Sequence, residues 1–409
     1  MNVTTDVTVS RGNSRVLNRV EGDLRVEDAT LSSDSSDNTI YVTGSTFCSG
    51  DCTFNCNLKT ESLEGQDGDI IVEGNLEVGH LIRIRDGKLR CGTNLSAERV
   101  DVDKRVDVSG NVNLKSMDVD GSVNIEGDIQ STSINVGGGF KAKGKVNSEK
   151  LDVGGSAEIG SEADIGDVDV GGRLNLAGGV VHTCKVGGKV ESSRILRFER
   201  LKVGGKVRIA GGEGGDIHVG GSLTSDGDLT FGELDVGGKV EIKGDATGRS
   251  IEVGGKVNVS NNLVLSDELD VGGVAETGGN IKSKKIKVGG EVKAMMIEAS
   301  DEIESHTIIS TKGVKAQRIR VKGGEVQGTI MADDVVIEED SRVEDIIADR
   351  VELQRDSRAK NIYAADISIE SGCSVSGEIQ YTSSLKRERN VDLATEPKKV
   401  QKLEHTPSS

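Results

Sequence analysis

Three cysteines stand four apart, at Cys48, Cys52 and Cys56. Thiolates at short spacing are the ligands of zinc and iron–sulfur centres. Here no fourth cysteine and no histidine lies close by, and the next sulfur is Cys91. Gly50-Asp51 and Asn55 read as corner residues between them, so the three side chains are expected as small, reduced core thiols. The five histidines are His80, His182, His218, His306 and His405. None shares the His-x-x-x-His or His-Glu-x-x-His spacing of a metal centre. His182 and His218 alternate with apolar neighbours and are expected to face outward. The run from Gly211 to Gly215 is rich enough in glycine to cradle phosphate, yet no Gly-Lys-Ser/Thr ending follows it. Acids are abundant: Asp164, Asp167 and Asp169 cluster, while Asp118, Asp152, Asp169 and Asp235 each precede a valine of a repeated phrase. Such a stripe is either a solvated face or a place for cations, because stacked like charges repel. No nucleophile, base and orienting group fall together. The expectation is a protein that is not an enzyme, with no catalytic residue, no metal and no cofactor.

The residues that could do chemistry are carried on a repeat. Valine recurs at 136, 153, 170, 186, 203, 219, 236, 253, 271 and 288, each time followed by two glycines. The step is nearly constant, at roughly 17 residues, and a fixed period of this kind marks a repeat architecture. The pairs are Gly137-Gly138, Gly154-Gly155, Gly171-Gly172, Gly187-Gly188, Gly204-Gly205, Gly220-Gly221, Gly237-Gly238, Gly254-Gly255, Gly272-Gly273 and Gly289-Gly290. In one copy Leu234 and Val236 alternate with polar residues, and so do Val240 and Ile242 beyond the glycines. That is the period of a half-buried strand. Gly244-Asp245 marks a second corner. A unit of about 17 residues is too short for any helical repeat. It fits one coil of a single-stranded parallel β-helix, an all-β solenoid with three short strands and three corners per coil. The glycine pairs are expected at tight corners, either because they adopt positive φ or because stacked corners run close together. Lys322-Gly323, Glu339-Asp340 and Arg355-Asp356 read as equivalent corners.

Taken in order, residues 1–20 read as a tail or an irregular first coil. Residues 21–118 are N-terminal coils, in which Leu24 and Val26 are followed one period later by Ile40 and Val42. Residues 119–291 are the Val-Gly-Gly block. Residues 292–381 repeat at a constant step, through Ile319/Val321, Val335/Ile337, Val351/Leu353 and Ile367/Ile369. Residues 382–409 read as a disordered tail, holding both prolines of the chain, Pro397 and Pro407. About 360 residues at about 17 per coil make roughly 21 coils.

Aromatic residues are 2% of the chain and tryptophan is absent, as suits a thin coil with no room for a thick core. A formal net charge of −17 argues against nucleic acid as a partner. Six cysteines in 409 residues are too scattered for a disulfide framework. No stretch has the length and apolarity of a membrane span, and residues 1–20 hold no apolar run of signal-peptide length. The cytoplasm is the expected location, with the cell surface as the alternative.

A solenoid without a site has its ends. Each terminal coil exposes unpaired N–H and C=O groups, and no helical cap is legible at either end. The expectation is end-to-end self-assembly through Leu24, Val26, Ile40 and Val42 at one end and Ile362, Ile367, Ile369, Val375 and Ile379 at the other. The stretches Asp333-Asp334-Val335-Val336-Ile337, Ala348-Asp349-Arg350-Val351-Glu352-Leu353, Ala364-Ala365-Asp366-Ile367-Ser368-Ile369 and Ser374-Val375-Ser376-Gly377-Glu378-Ile379 resemble the bactofilins, polymer-forming cytoskeletal proteins. The resemblance implies a right-handed β-helix flanked by disordered tails. It also implies nucleotide-independent filaments that act as a scaffold, with itself and other scaffold or envelope-associated proteins as partners. The repeat region here is several times the usual core, and the apolar membrane-contacting peptide of some members has no counterpart in residues 1–20. Two other readings stay open: an extracellular adhesin or surface-layer solenoid, and a carbohydrate-active β-helix.

Overall fold

The computed structural model describes residues 5–403. The chain divides into two compact units, Met1–Gly205 and Lys206–Ser409. Each is a parallel β-solenoid, and together they hold about 23 turns, with no helix among the described residues. The division falls within the Val-Gly-Gly block, just after the Gly204-Gly205 corner.

Every coil contributes a strand to each of three faces. In the first unit, face A is typified by Arg99–Val102 beside Ser116–Val119. Face B follows the next corner, as in Arg105–Val108 beside Ser122–Ile125. Face C carries Leu95–Ser96 beside Val112–Asn113. Successive side chains of a strand point to opposite sides. The in-register stack therefore sorts the chain into inward columns of Val, Ile and Leu and outward columns of polar residues. Val100, Val102, Val106, Met117, Val119 and Val123 are each at most 2% exposed. A large residue is matched by a small one within its column: Phe140 lies between Val123 and Ala157. The second unit repeats the plan. Ile319, Val335, Val351 and Ile367 stack on face A, and Ile330, Ile346 and Ile362 on face C.

The coil count exceeds the expected 21 because both flanks are coiled. Val7–Val9, Ser14–Val16 and Arg19–Val20 form a first coil on the strands that follow. Residues 382–403, expected as a disordered tail, add strands at Ile379–Arg387, Asp392–Leu393 and Lys398–Lys399. Leu385 stands on Ile367, and Leu403 is buried. Charged residues among these leucines disguise the pattern. Residues 404–409 lie outside the described residues. The step from Leu24 to Ile40 is also corrected. Leu24 pairs with Thr46 on face A, whereas Ile40 pairs with Leu58 on face C. A hydroxyl-rich insertion between Ser32 and Thr39 lengthens that coil, held by bonds such as Thr39 N–H to Ser35 Oγ at 2.9 Å.

The corners explain the glycines. None of the Val-Gly-Gly glycines has positive φ, so that expectation falls. The second reason holds. A Cβ on Gly154 would lie 2.4 Å from the carbonyl oxygen of Gly137, and one on Gly171 would lie 2.2 Å from that of Gly154. The corners are as fully hydrogen-bonded as the faces: Gly154 N–H donates to Val136 O at 2.9 Å and Gly155 N–H to Gly138 O at 2.9 Å. Corners outside this block are built differently. Asp28, Asp67 and Asp86 in the first unit have φ of 41°, 59° and 53°; Gly323, Asp340 and Asp356 in the second have 69°, 59° and 57°. There a single left-handed residue turns the chain, which Gly and Asp tolerate best. Lys322-Gly323, Glu339-Asp340 and Arg355-Asp356 thus share the position of the glycine pairs but not their conformation.

The corner between faces B and C carries a side-chain ladder. Asn57 Oδ1 accepts from Asn75 N–H at 2.7 Å, Asn94 Oδ1 from Asn111 N–H at 2.9 Å, Asn111 Oδ1 from Asp128 N–H at 2.9 Å, and Asp128 Oδ1 from Lys145 N–H at 2.7 Å. In the second unit Asp228, Asp245 and Asn262 do the same for Asp245, Asn262 and Asn280.

Four variants probe these corners. Gly171→Ala lowers the thermal midpoint, with a cost of about 1–3 kcal/mol for forced overpacking. Gly139→Ala, whose new Cβ meets nothing nearer than 3.8 Å, leaves it within about 0.5 kcal/mol of the parent. Asn111→Ala costs about 1 kcal/mol through the lost acceptor, while Asn111→Asp retains most of it. Thermal unfolding followed by circular dichroism checks all four variants.

Candidate functional site

The candidate residues are placed by face and column. Cys48 lies in the face A strand Ser45–Ser49 and Cys52 begins the next face B strand, Cys52–Phe54, both inward, so the two thiols meet across the Gly50-Asp51 corner. They are 5% and 0% exposed, and Cys56 is 1% exposed. All six cysteines are reduced and buried. The Cys48 thiol hydrogen-bonds Cys52, which holds Cys52 below the ordinary thiol range and Cys48 above it. Burial pushes Cys56 up to about 11 and Cys184 up to about 12. Among the described residues no group of three or more His, Cys, Asp or Glu is arranged to hold a metal ion.

The histidines lie on separate coils. His80 sits between two carboxylates, 3.5 Å from Glu61 and 3.3 Å from Glu98. His182 bonds Glu199 at 3.0 Å, which raises its pKa. His218 stands in register with Asp235. His306 Nδ1 meets the Lys322 carbonyl. His405 is outside the described residues.

The acidic stripe is interrupted by partners. Asp118 accepts a hydrogen bond from Asn135 at 2.9 Å, and Asp169 pairs with Lys185 at 2.8 Å. Asp152 lies 3.7 Å from Lys150. Asp167 shares face A with Asp169, whereas Asp164 lies around the corner on face C. In the second unit Asp235, Glu252 and Asp270 do stack in register. The glycine run ending at Gly215 enters the strand Gly212–Val219 and forms no phosphate loop.

Two open troughs mark the outer surface of the first unit. One, of about 740 Å³, follows face B where Ser122, Gly139 and Ser156 leave a gap between Arg105 and Arg173. Most of its cations are already paired: Arg105 with Asp107 at 2.8 Å, Lys141 with Glu158 at 3.0 Å, and Lys189 with Glu191 at 2.6 Å. The other, of about 500 Å³, lies on face A, where Arg25 covers Phe47 at 4.5 Å from the ring centre. No histidine is among the described residues that line either trough.

The expected terminal contacts are corrected in place. Leu24 and Val26 have a coil on each side, at Val7/Val9 and at Thr46/Cys48. Ile40 and Val42 lie beneath the strand Arg19–Val20. Ile362, Ile367, Ile369, Val375 and Ile379 are interior for the same reason, since residues 382–403 continue the stack. The outermost described coils are instead those of Val7–Val20 and Ser384–Leu403.

No protein-family model, no curated protein and no solved structure matches the chain. What fold and surface define together is a class: a parallel β-solenoid, compatible with structural or surface roles.

The thiols offer a direct check of the columns. The native protein at pH 8 exposes fewer than one of its six cysteines to an aromatic disulfide reagent, and all six react in guanidinium. Fast reaction of Cys48, Cys52 or Cys56 in the native state contradicts their placement inside the coil.

Proposed function

We propose that the chain is a non-enzymatic structural scaffold that assembles by stacking the end coil of one molecule on that of another. The observation that carries this reading is the one-sided pairing of the outermost described coils. Among the described residues, Val7–Val9, Ser14–Val16 and Arg19–Val20 have strand partners in the coil after them and in no other. Among the described residues, Ser384–Arg387, Asp392–Leu393 and Lys398–Lys399 have strand partners in the coil before them and in no other. A coil paired on one side among the described residues presents the row of backbone donors and acceptors that recruits another strand. The resemblance of residues 303–380 to the bactofilins supports the same reading and suggests a cytoskeletal role in the cytoplasm, beside other scaffold or envelope proteins.

Sedimentation velocity with negative-stain electron microscopy tests it, over a range of protein and salt concentrations. The expected result is uniform threads that lengthen with protein concentration. A single dispersed species under every condition overturns it.

A further inference from the structure

Three of the inward columns do not run apolar to their ends, although others end on Val7, Val9 and Val20 or on Leu385 and Leu393. On face B, Val72, Phe54 and Leu31 stack in register and are each fully buried, and the next member is Arg15. On face A of the second unit, Ile337, Leu353 and Ile369 stack likewise, and the next member is Arg387. On face C, Ala348, Ala364 and Tyr381 are followed by Lys399. All three cations are exposed. Lys399 turns its Nζ back to the Ser383 carbonyl at 3.1 Å. Of the acids nearest in sequence to Arg387, Glu388 is taken by Ser371 N–H at 3.1 Å, and Asp392 stands in an outward column with Ser374. Pro397, just before the strand Lys398–Lys399, brings no N–H to the edge.

We propose that Arg15, Arg387 and Lys399 are gatekeepers that set the ionic conditions under which a second copy of this chain can stack on an end coil. The proposal rests on the assembly reading and adds its control. A coil laid on either end encloses a cation in a column that is elsewhere dry, and an unpaired buried charge is strongly unfavourable. The sign matters as well. Both outermost described coils present positive charge at column ends. Head-to-tail, head-to-head and tail-to-tail contacts therefore all bring like charges within a Debye length, about 10 Å at 0.1 M salt. Inward-pointing charge is a known way of blunting a strand edge. Stacking then needs small anions between the ends or enough salt to screen the repulsion.

The test is sedimentation velocity of the full chain, with electron microscopy of the same samples, in a sodium chloride series. The parent protein is expected to assemble only towards the high-salt end. The triple variant Arg15→Leu, Arg387→Val, Lys399→Val is expected to form uniform threads at low salt, with a critical concentration at least tenfold lower. A second variant, Arg387→Glu with Lys399→Glu, gives the two ends opposite charge, so its assembly is expected to weaken as salt rises. The proposal is overturned if the parent assembles at low salt as readily as the triple variant; the assembly reading then stands without its control. It is equally overturned if the triple variant gives amorphous aggregate and the charge-reversed variant keeps the parent's salt response. If no protein assembles in any salt, the assembly reading itself falls.

Discussion

Where two coils meet at a Val-Gly-Gly corner, the carbonyl oxygen of one glycine occupies the space that a Cβ on the next would need. The 2.2 Å between a Cβ on Gly171 and Gly154 O admits hydrogen and little else. The same approach lets Gly171 N–H reach Val153 O at 2.9 Å and Gly172 N–H reach Gly155 O at 2.8 Å. Hydrogen bonding thus runs from one face into the next without a break. Backbone groups that a loop would leave to water are satisfied by the neighbouring coil, as buried or half-buried peptide groups require. The entropy that glycine gives up on folding is offset at each corner by two ordered backbone bonds.

The same protein turns its corners in a second way. Asp28, Asp86, Asp340 and Asp356 adopt left-handed φ values and need no glycine pair, because one left-handed residue redirects the strand by itself. At the corner from face B to face C, an Asn or Asp side-chain oxygen from one coil receives the backbone N–H of the next. Gly74, Gly110, Gly127 and Gly244 precede the donating residue because a Cβ there would strike that oxygen, at 2.3, 2.6, 2.5 and 2.0 Å respectively. Three devices, each local to one coil pair, therefore fix the register that the apolar columns exploit. Outward positions are left unconstrained by packing, which is why charges of both signs alternate along them in pairs such as Lys185–Asp169 and Arg85–Asp101.

Much of this was legible. The valine period, the alternation on either side of the glycines and the columns Ile330–Ile346–Ile362 all follow from spacing, since a parallel stack reads one coil onto the next. The corner conformations were not legible. Gly-Gly, Gly-Asp and Glu-Asp all read as turns, and only coil-to-coil distances separate close approach from left-handed φ. The Asn ladder left a signal in Gly74-Asn75, Gly110-Asn111 and Gly127-Asp128, but its bonds run between residues 17 or 18 apart. The insertion after Ser32 broke the period and put Ile40 on the wrong face. Residues 382–403 escaped because Arg387 and Lys399 stand where an apolar residue was required by the pattern. Those misfits are also two of the residues that we propose control assembly. No chemistry-bearing cluster emerged from the cysteines, because their columns take them into the core.

Amide hydrogen exchange resolved to single residues addresses the corner constraint most directly. Gly154, Gly155, Gly171 and Gly172 donate to the preceding coil as the strand residues do, so their amides are predicted to exchange as slowly as those of Val153 and Val170. Exchange at these glycines at the rate of an open loop, with the flanking valines still protected, would contradict the account.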